Sequence, residues 1–143
     1  MQVSAILKEK GREVVTADPD TPISEIVVTL KDRGIGAVIV AGEGDIPAGI
    51  LSERDIVRAM PKHGAKLMTM RASDLMTREV VTCTQEHTID EVMKIMTEGR
   101  FRHLPVIEGG KLVGVISIGD AVKRRLGELE AEAGALRSYI ASG

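Results

Sequence analysis

The sequence predicts a mixed fold, α+β or α/β in class. It reads as two tandem βαββα repeats forming a pseudo-twofold pair, followed by a C-terminal helical extension. Three observations carry this prediction. VVTADPDTPISEIVVTLKDRG, beginning at Val14, lies over VVTCTQEHTIDEVMKIMTEGR, beginning at Val80, at an offset of 66 residues. GILSERD (Gly49 to Asp55) and GVISIGD (Gly114 to Asp120) share a glycine, an apolar pair, a serine and an aspartate, at an offset of 65. In both copies, helix-like and strand-like apolar periods follow one another in the same order. A repeat this long implies one supersecondary unit used twice, each copy burying its apolar face against the other. The boundaries are 1–66 for the first repeat, 67–126 for the second and 127–143 for the extension.

Each element has a local reason. The lead-in VSAILKEKGREVV is matched by ASDLMTREVV with three residues removed. The strand around Thr16 has its counterpart around Thr82. Ile23, Ile26, Val27 and Leu30 fall at helical spacing, as do Ile89, Val92, Met93 and Met96. Thr21 caps the first of these helices with Pro22 at its first position, and Thr88 with Glu91 forms a capping box for the second. AVIVAG and PAGILS are the next two strands of copy one. In copy two, HLPVIEGGKLVGVIS is a hairpin whose turn, Gly109-Gly110, supplies two positive φ angles. ERDIVRAM and GDAVKRRLGELEAEAGALRSYIA are the closing helices, and Met60 to Ala72 is the linker between copies.

Composition limits what such a pair can do. The chain has 143 residues and 43 % hydrophobic content, enough for one compact core or two joined ones. With 19 basic and 21 acidic residues it has no global basic field for nucleic acid. Phe101 and Tyr139 are the only aromatics, so base-stacking platforms are not expected. The single cysteine, Cys83, precludes an internal disulfide and suits a reducing compartment. No signal-like or membrane-spanning run occurs, so a soluble cytoplasmic protein is expected, with no membrane partner.

The repeat unit, the VVT openings and RFRHLPVIEGGKLVGVISIGD resemble a tandem cystathionine β-synthase (CBS) domain pair over Met1 to Leu126. The first copy departs from the family pattern, having GIGAVIVAGEGDIPAG where an LPV-type segment is usual. The resemblance implies a regulatory module whose cleft between repeats binds an adenine nucleotide (AMP, ADP or ATP) or a related adenosyl ligand, and which associates as a homodimer.

The doubled Ser-x-x-Asp then has two meanings. As structure, the serine caps a helix and the aspartate complements its dipole. As function, a helix N-terminus with a serine hydroxyl can hold a phosphate, and a carboxylate can grip the two ribose hydroxyls. The resemblance assigns these roles to Ser117 and Asp120, and symmetry extends them to Ser52 and Asp55. In RFRHLPV, Arg100 and Arg102 would share one strand face with His103 on the other. The resemblance brings Arg102 and His103 to ligand phosphates. Arg54 is a further phosphate candidate, and the second-copy cleft, with its cations, is expected to be the better anion site. The ligand-binding set is thus Ser117, Asp120, Arg102, His103, Leu104 and Thr82, with Ser52, Arg54, Asp55 and Thr16.

Other chemistries lack support. His63, His87 and His103 have no metal-like spacing with each other or with Cys83. Cys83 has no evident base partner. No phosphate-binding loop or nucleophile elbow occurs, so no catalytic activity is expected. Leu126, Leu129, Ala133, Leu136 and Ile140 form a short heptad-like seam suited to a dimer contact. Two function classes remain: a sensor of AMP, ADP or ATP, with NAD(H) as the alternative ligand, signalling to an unidentified client protein; or a structural dimerisation module whose Ser-x-x-Asp segments only cap helices.

Overall fold

The computed structural model describes residues 1–44 and 46–142. Asp45, within the first repeat, and Gly143, the last residue of the extension, lie outside the described residues. The chain opens with α1 (Val3–Lys10), then β1 (Thr16–Ala17), α2 (Ile23–Arg33), β2 (Ala37–Ala41), β3 (Pro47–Ser52) and α3 (Glu53–His63). A 3-10 segment (Gly64–Thr69) and the short α4 (Ala72–Leu75) lead into α5 (Ile89–Gly99), β4 (His103–Glu108), β5 (Lys111–Ser117) and the long α6 (Ile118–Ser142). The first sheet runs β1-β2-β3, with β1 parallel and β3 antiparallel to β2. The second holds the antiparallel pair β4-β5, turned at Gly109 (φ 56°) and Gly110 (φ 78°).

The expected opening strand of the second repeat is reduced to a single parallel bridge, Cys83 to Val106. The reason is covalent. In the first repeat the Ile39 amide donates to the Val15 carbonyl at 3.1 Å. The residue in Ile39's place is Pro105, which has no N–H to offer the strand beside it. Only the neighbouring bonds survive: Cys83 N–H to the Pro105 carbonyl at 2.9 Å and Ile107 N–H to the Cys83 carbonyl at 2.8 Å. A second correction concerns Thr21. Helix α2 begins at Ile23 with Pro22 as its cap residue and no side-chain capping bond. The Ile23 amide is satisfied instead by the Met70 carbonyl at 2.8 Å. The Thr88–Glu91 capping box forms as expected.

Each repeat takes its lead-in helix from the other half of the chain. Val3, Ile6 and Leu7 of α1 join Cys83, Ile89, Val92, Met96, Leu104, Val106 and Ile116 in one core. Leu67 and Ala72 join Ile23, Ile26, Leu30, Val38, Val40, Leu51 and Ile56 in the other. Burying a leucine or isoleucine contributes about 1.5–3 kcal/mol, so this exchange ties the halves together. It also explains the paired glycines. A Cβ on Gly114 would lie 2.6 Å from Leu7 Cδ2, and one on Gly49 would lie 2.7 Å from Met76 Sδ. Each lead-in helix rests on a bare strand position.

Candidate functional site

Both Ser-x-x-Asp segments fold as helix caps. Ser52 Oγ accepts from the Asp55 amide at 3.3 Å, and Asp55 Oδ2 accepts from the Ser52 amide at 2.9 Å and hydroxyl at 3.0 Å. Ser117 Oγ accepts from the Asp120 amide at 3.1 Å, and Asp120 Oδ2 accepts from the Ser117 amide at 2.9 Å. The twofold relation extends to the segments that cross them: Glu53 N–H donates to the Gly36 carbonyl at 2.9 Å, and Ile118 N–H to the Arg102 carbonyl at 2.8 Å.

A cavity of about 380 Å³ lies between the repeats at the N-terminus of α3. Ser52, Arg54, Asp55 and Arg58 line one side, and Arg100, Arg102 and His103 the other. Ile50, Val81, Phe101 and Pro105 supply apolar wall, and Glu53 and Glu79 add carboxylates. Four guanidiniums and an imidazole thus line a slot that also holds the carboxylates of Glu53, Asp55 and Glu79. Arg100 is there at a conformational cost. It is the one non-glycine residue with positive φ among the described residues, at 58°, in the place where the first repeat has Gly34 at 63°.

His103 sits at the crossing. Its ring lies against Gly36, where a Cβ would come within 3.0 Å of Cε1 and Nε2. Burial pushes its pKa below the usual imidazole value, against the pull of the Glu53 carboxylate; Lys10 and Arg102 add to the lowering and Asp120 opposes it. Burial also works to raise the pKa of Asp120, but the Lys10 ammonium and the Ser117 amide outweigh it and hold the carboxyl below its ordinary value. Lys10 Nζ stands 2.7 Å from Asp120 Oδ2 and donates to the Val115 carbonyl at 2.8 Å.

The structure therefore groups the sequence candidates across the repeats. Arg102 and His103 line one cavity with Ser52, Arg54 and Asp55, whereas Asp120 lines a separate open groove of about 1340 Å³ between α1 and α6. The expected opposition of Arg102 and His103 does not hold, because β4 starts at His103 and the chain bends at Arg102, so both reach the cavity. Leu104 is fully buried in the second core. Strand alternation sends His103 and Pro105 to the cavity and Leu104 and Val106 inward. Thr16 is exposed on β1, Thr82 is exposed beside the Cys83 bridge, and neither lines the cavity. Arg58, Glu79 and Val81 are lining residues that the sequence reading did not single out. A signal for Arg58 existed in its position one helical turn after Arg54.

Burial pushes the Cys83 thiol up to about 11, which leaves it a core residue rather than a nucleophile. Among the described residues, no group of three or more His, Cys, Asp or Glu side chains is placed to hold a metal ion, and no helix is long and apolar enough to cross a membrane.

Comparison with known proteins agrees with this architecture. The CBS-domain containing protein ATU1752 from Agrobacterium tumefaciens is 47 % identical in sequence, and its crystal structure superposes with a TM-score of 0.85 over 87 % of this chain and 99 % of that one. The mitochondrial CBS domain-containing protein CBSX3 of Arabidopsis thaliana is 32 % identical over 149 residues, covering 99 % of this chain and 72 % of the plant protein. The fold also matches the CBS domain pair of protein MJ0100, solved in complex with 5′-methylthioadenosine and S-adenosyl-L-methionine, with a TM-score of 0.76, 24 % identity, and 90 % and 97 % of the two chains covered. The family model for the CBS domain matches twice, at residues 4–62 and 72–127. The chain belongs to the CBS domain family, as a tandem pair of its repeats.

Proposed function

We propose that this protein is a cytoplasmic, non-catalytic regulatory module that binds an adenine nucleotide between its CBS repeats and signals occupancy to a client protein. One observation carries the reading: Arg54, Arg58, Arg100, Arg102 and His103 converge on a single apolar-walled cavity that also presents Ser52 and Asp55. The adenine lies against Ile50, Val81 and Phe101. Asp55 accepts from the ribose hydroxyls, and the guanidiniums take the phosphates through forked, charge-assisted bonds. That the CBS domain pair of protein MJ0100, of the same fold, was solved in complex with two adenosyl compounds supports an adenosyl ligand for this pair. The cluster of four guanidiniums favours AMP, ADP or ATP over an uncharged or cationic adenosyl ligand. A homodimer is part of the proposal, supported by Val28, Val57, Met60, Leu126 and Leu129, apolar side chains left exposed on α2, α3 and α6.

Calorimetric titration with adenosine, AMP, ATP and NADH tests the reading. Each charge-assisted bond contributes about 1.5–3 kcal/mol, so two phosphate contacts should separate AMP from adenosine by roughly 100-fold or more. NADH binding more tightly than ATP would move the assignment to a dinucleotide. If none of the four binds or raises the melting temperature, both Ser-x-x-Asp segments are helix caps and the module is structural.

A further inference from the structure

The two Ser-x-x-Asp ends begin alike and are finished differently. In the first repeat the Ile50 carbonyl accepts from the Thr77 amide at 2.9 Å, and the Asp55 carboxylate faces the cavity. In the second repeat the counterpart of Ile50 is Val115. Its carbonyl accepts from Lys10 Nζ at 2.8 Å, and the same ammonium stands 2.7 Å from Asp120 Oδ2.

The lead-in sequences explain how a lysine arrives there. Aligned on their core-facing residues, VSAILKEKGREVV and ASDLMTREVV place Val3 over Ala72 and Leu7 over the partly buried Met76, each of the latter pair resting on its glycine. Lys8 then falls in the place of Thr77, and the three extra residues are Glu9, Lys10 and Gly11. This addition extends α1 to Lys10, whereas α4 ends at Leu75. It carries an ammonium to the point where Thr77 supplies a backbone amide in the other repeat. A single side chain thereby meets a backbone carbonyl and the carboxylate at once.

We propose that Lys10 is a built-in occupant of the second Ser-x-x-Asp end, so that each chain takes one adenine nucleotide, at Asp55, and is closed to a second at Asp120. This rests on the nucleotide reading given above. A ribose diol brings neutral donors, and to engage both oxygens of Asp120 it must displace the charge-assisted Lys10 bond on Oδ2. That displacement weakens binding by about 10- to 100-fold, so the Asp120 end stays empty at AMP concentrations that fill the Asp55 site.

Calorimetry with AMP as the probe tests this on the full chain. The wild type should bind one AMP per chain, Lys10→Met should bind two, and Asp55→Ala should weaken wild-type binding at least about tenfold. The double variant Lys10→Met/Asp55→Ala should bind one, at Asp120. Methionine keeps the length of the stem and the helical propensity of α1, and circular dichroism melting confirms that each variant folds. An independent readout needs no nucleotide. Lys10, Lys31 and Lys111 are all exposed, but among the described residues only Lys10 of the three is held by a carboxylate. Amine acylation followed by mass spectrometry should therefore find Lys10 slower to react than the other two, and released by Asp120→Ala. Two AMP per wild-type chain, or one per Lys10→Met chain, would overturn the closure while leaving the nucleotide site intact. Absence of AMP binding in every variant, with Lys10 still protected, would overturn both proposals and leave only the ion pair.

Discussion

Replacing Arg100 by glycine should raise stability and lower affinity together. The residue ends α5 in the left-handed region, φ 58° and ψ 40°, with its amide bonded to the Met96 carbonyl. Gly34 ends α2 at φ 63° and ψ 38°. The two backbones are therefore interchangeable, and glycine can adopt the second repeat's conformation without moving anything. A side chain in this region costs about 1–2 kcal/mol. Glycine returns part of that gain, because it frees the unfolded chain by about 0.4–1 kcal/mol. The net stabilisation is about 0.5–1 kcal/mol. For a chain of this size that is a rise of roughly 1–4 °C in melting temperature. Against this stands the loss of one guanidinium from the cavity. At about 1.5–3 kcal/mol per charge-assisted bond, AMP and ATP should bind about 10- to 100-fold more weakly. Adenosine, with no phosphate to meet Arg100, should be unaffected. Thermal melting and calorimetry on the same preparation decide the matter. A lower melting temperature would refute the strain, and unchanged AMP affinity would remove Arg100 from the site. The combination expected, stability rising as function falls, is that of a residue held in an unfavourable conformation for its ligand.

Arg102→Ala should shrink the difference between adenosine and AMP, while Asp55→Ala weakens both alike and costs about 0.5–2 kcal/mol of stability through its lost capping contacts; equal losses for both ligands in Arg102→Ala would refute the phosphate role. Gly114→Ala should destabilise by about 1–3 kcal/mol, because its Cβ would meet Leu7 Cδ2 at 2.6 Å, whereas Gly134→Ala, with open space around it in α6, should stabilise by up to about 1 kcal/mol. Chemical denaturation distinguishes the pair, and equal effects would contradict the packing of α1 on β5. His103, with its pKa lowered mainly by burial and with Glu53, Lys10, Asp120 and Arg102 around it, is neutral in the free protein at neutral pH. Its contribution to stability is present above the ordinary imidazole value and lost as pH falls through the lowered folded value. A bound phosphate favours the imidazolium, so AMP affinity should rise as pH falls from about 8 to about 6.5. His103→Gln should flatten that slope in calorimetry, and an unchanged slope would place the titrating group elsewhere.

The repeated pattern was legible in sequence because its causes are local. The helical stripes of Ile23 to Leu30 and Ile89 to Met96, the Thr88–Glu91 box and the Gly109-Gly110 turn each depend on residues a few positions apart, and each forms as read except that Val27, assigned to the first stripe, is exposed. The family, too, was carried by contiguous segments. The shortened opening strand of the second repeat was also written in the chain, in proline at position 105 where Ile39 stands in the first, although only the parallel pairing made its missing amide matter. What the sequence could not decide was which segments meet. Residues 66 apart look equivalent in one dimension, yet the twofold packing brings Arg102 and His103 to Ser52 and Asp55, and gives Asp120 to Lys10 instead. Gly36, within the segment that departs from the family pattern, proves to be the bare position against which the His103 ring lies. Periodicity reports which face of an element is buried, whereas only tertiary packing selects what that face is buried against. The exchange of lead-in helices is of the same kind: Leu7 is one apolar residue of a helical stripe until it rests on Gly114, more than a hundred residues away.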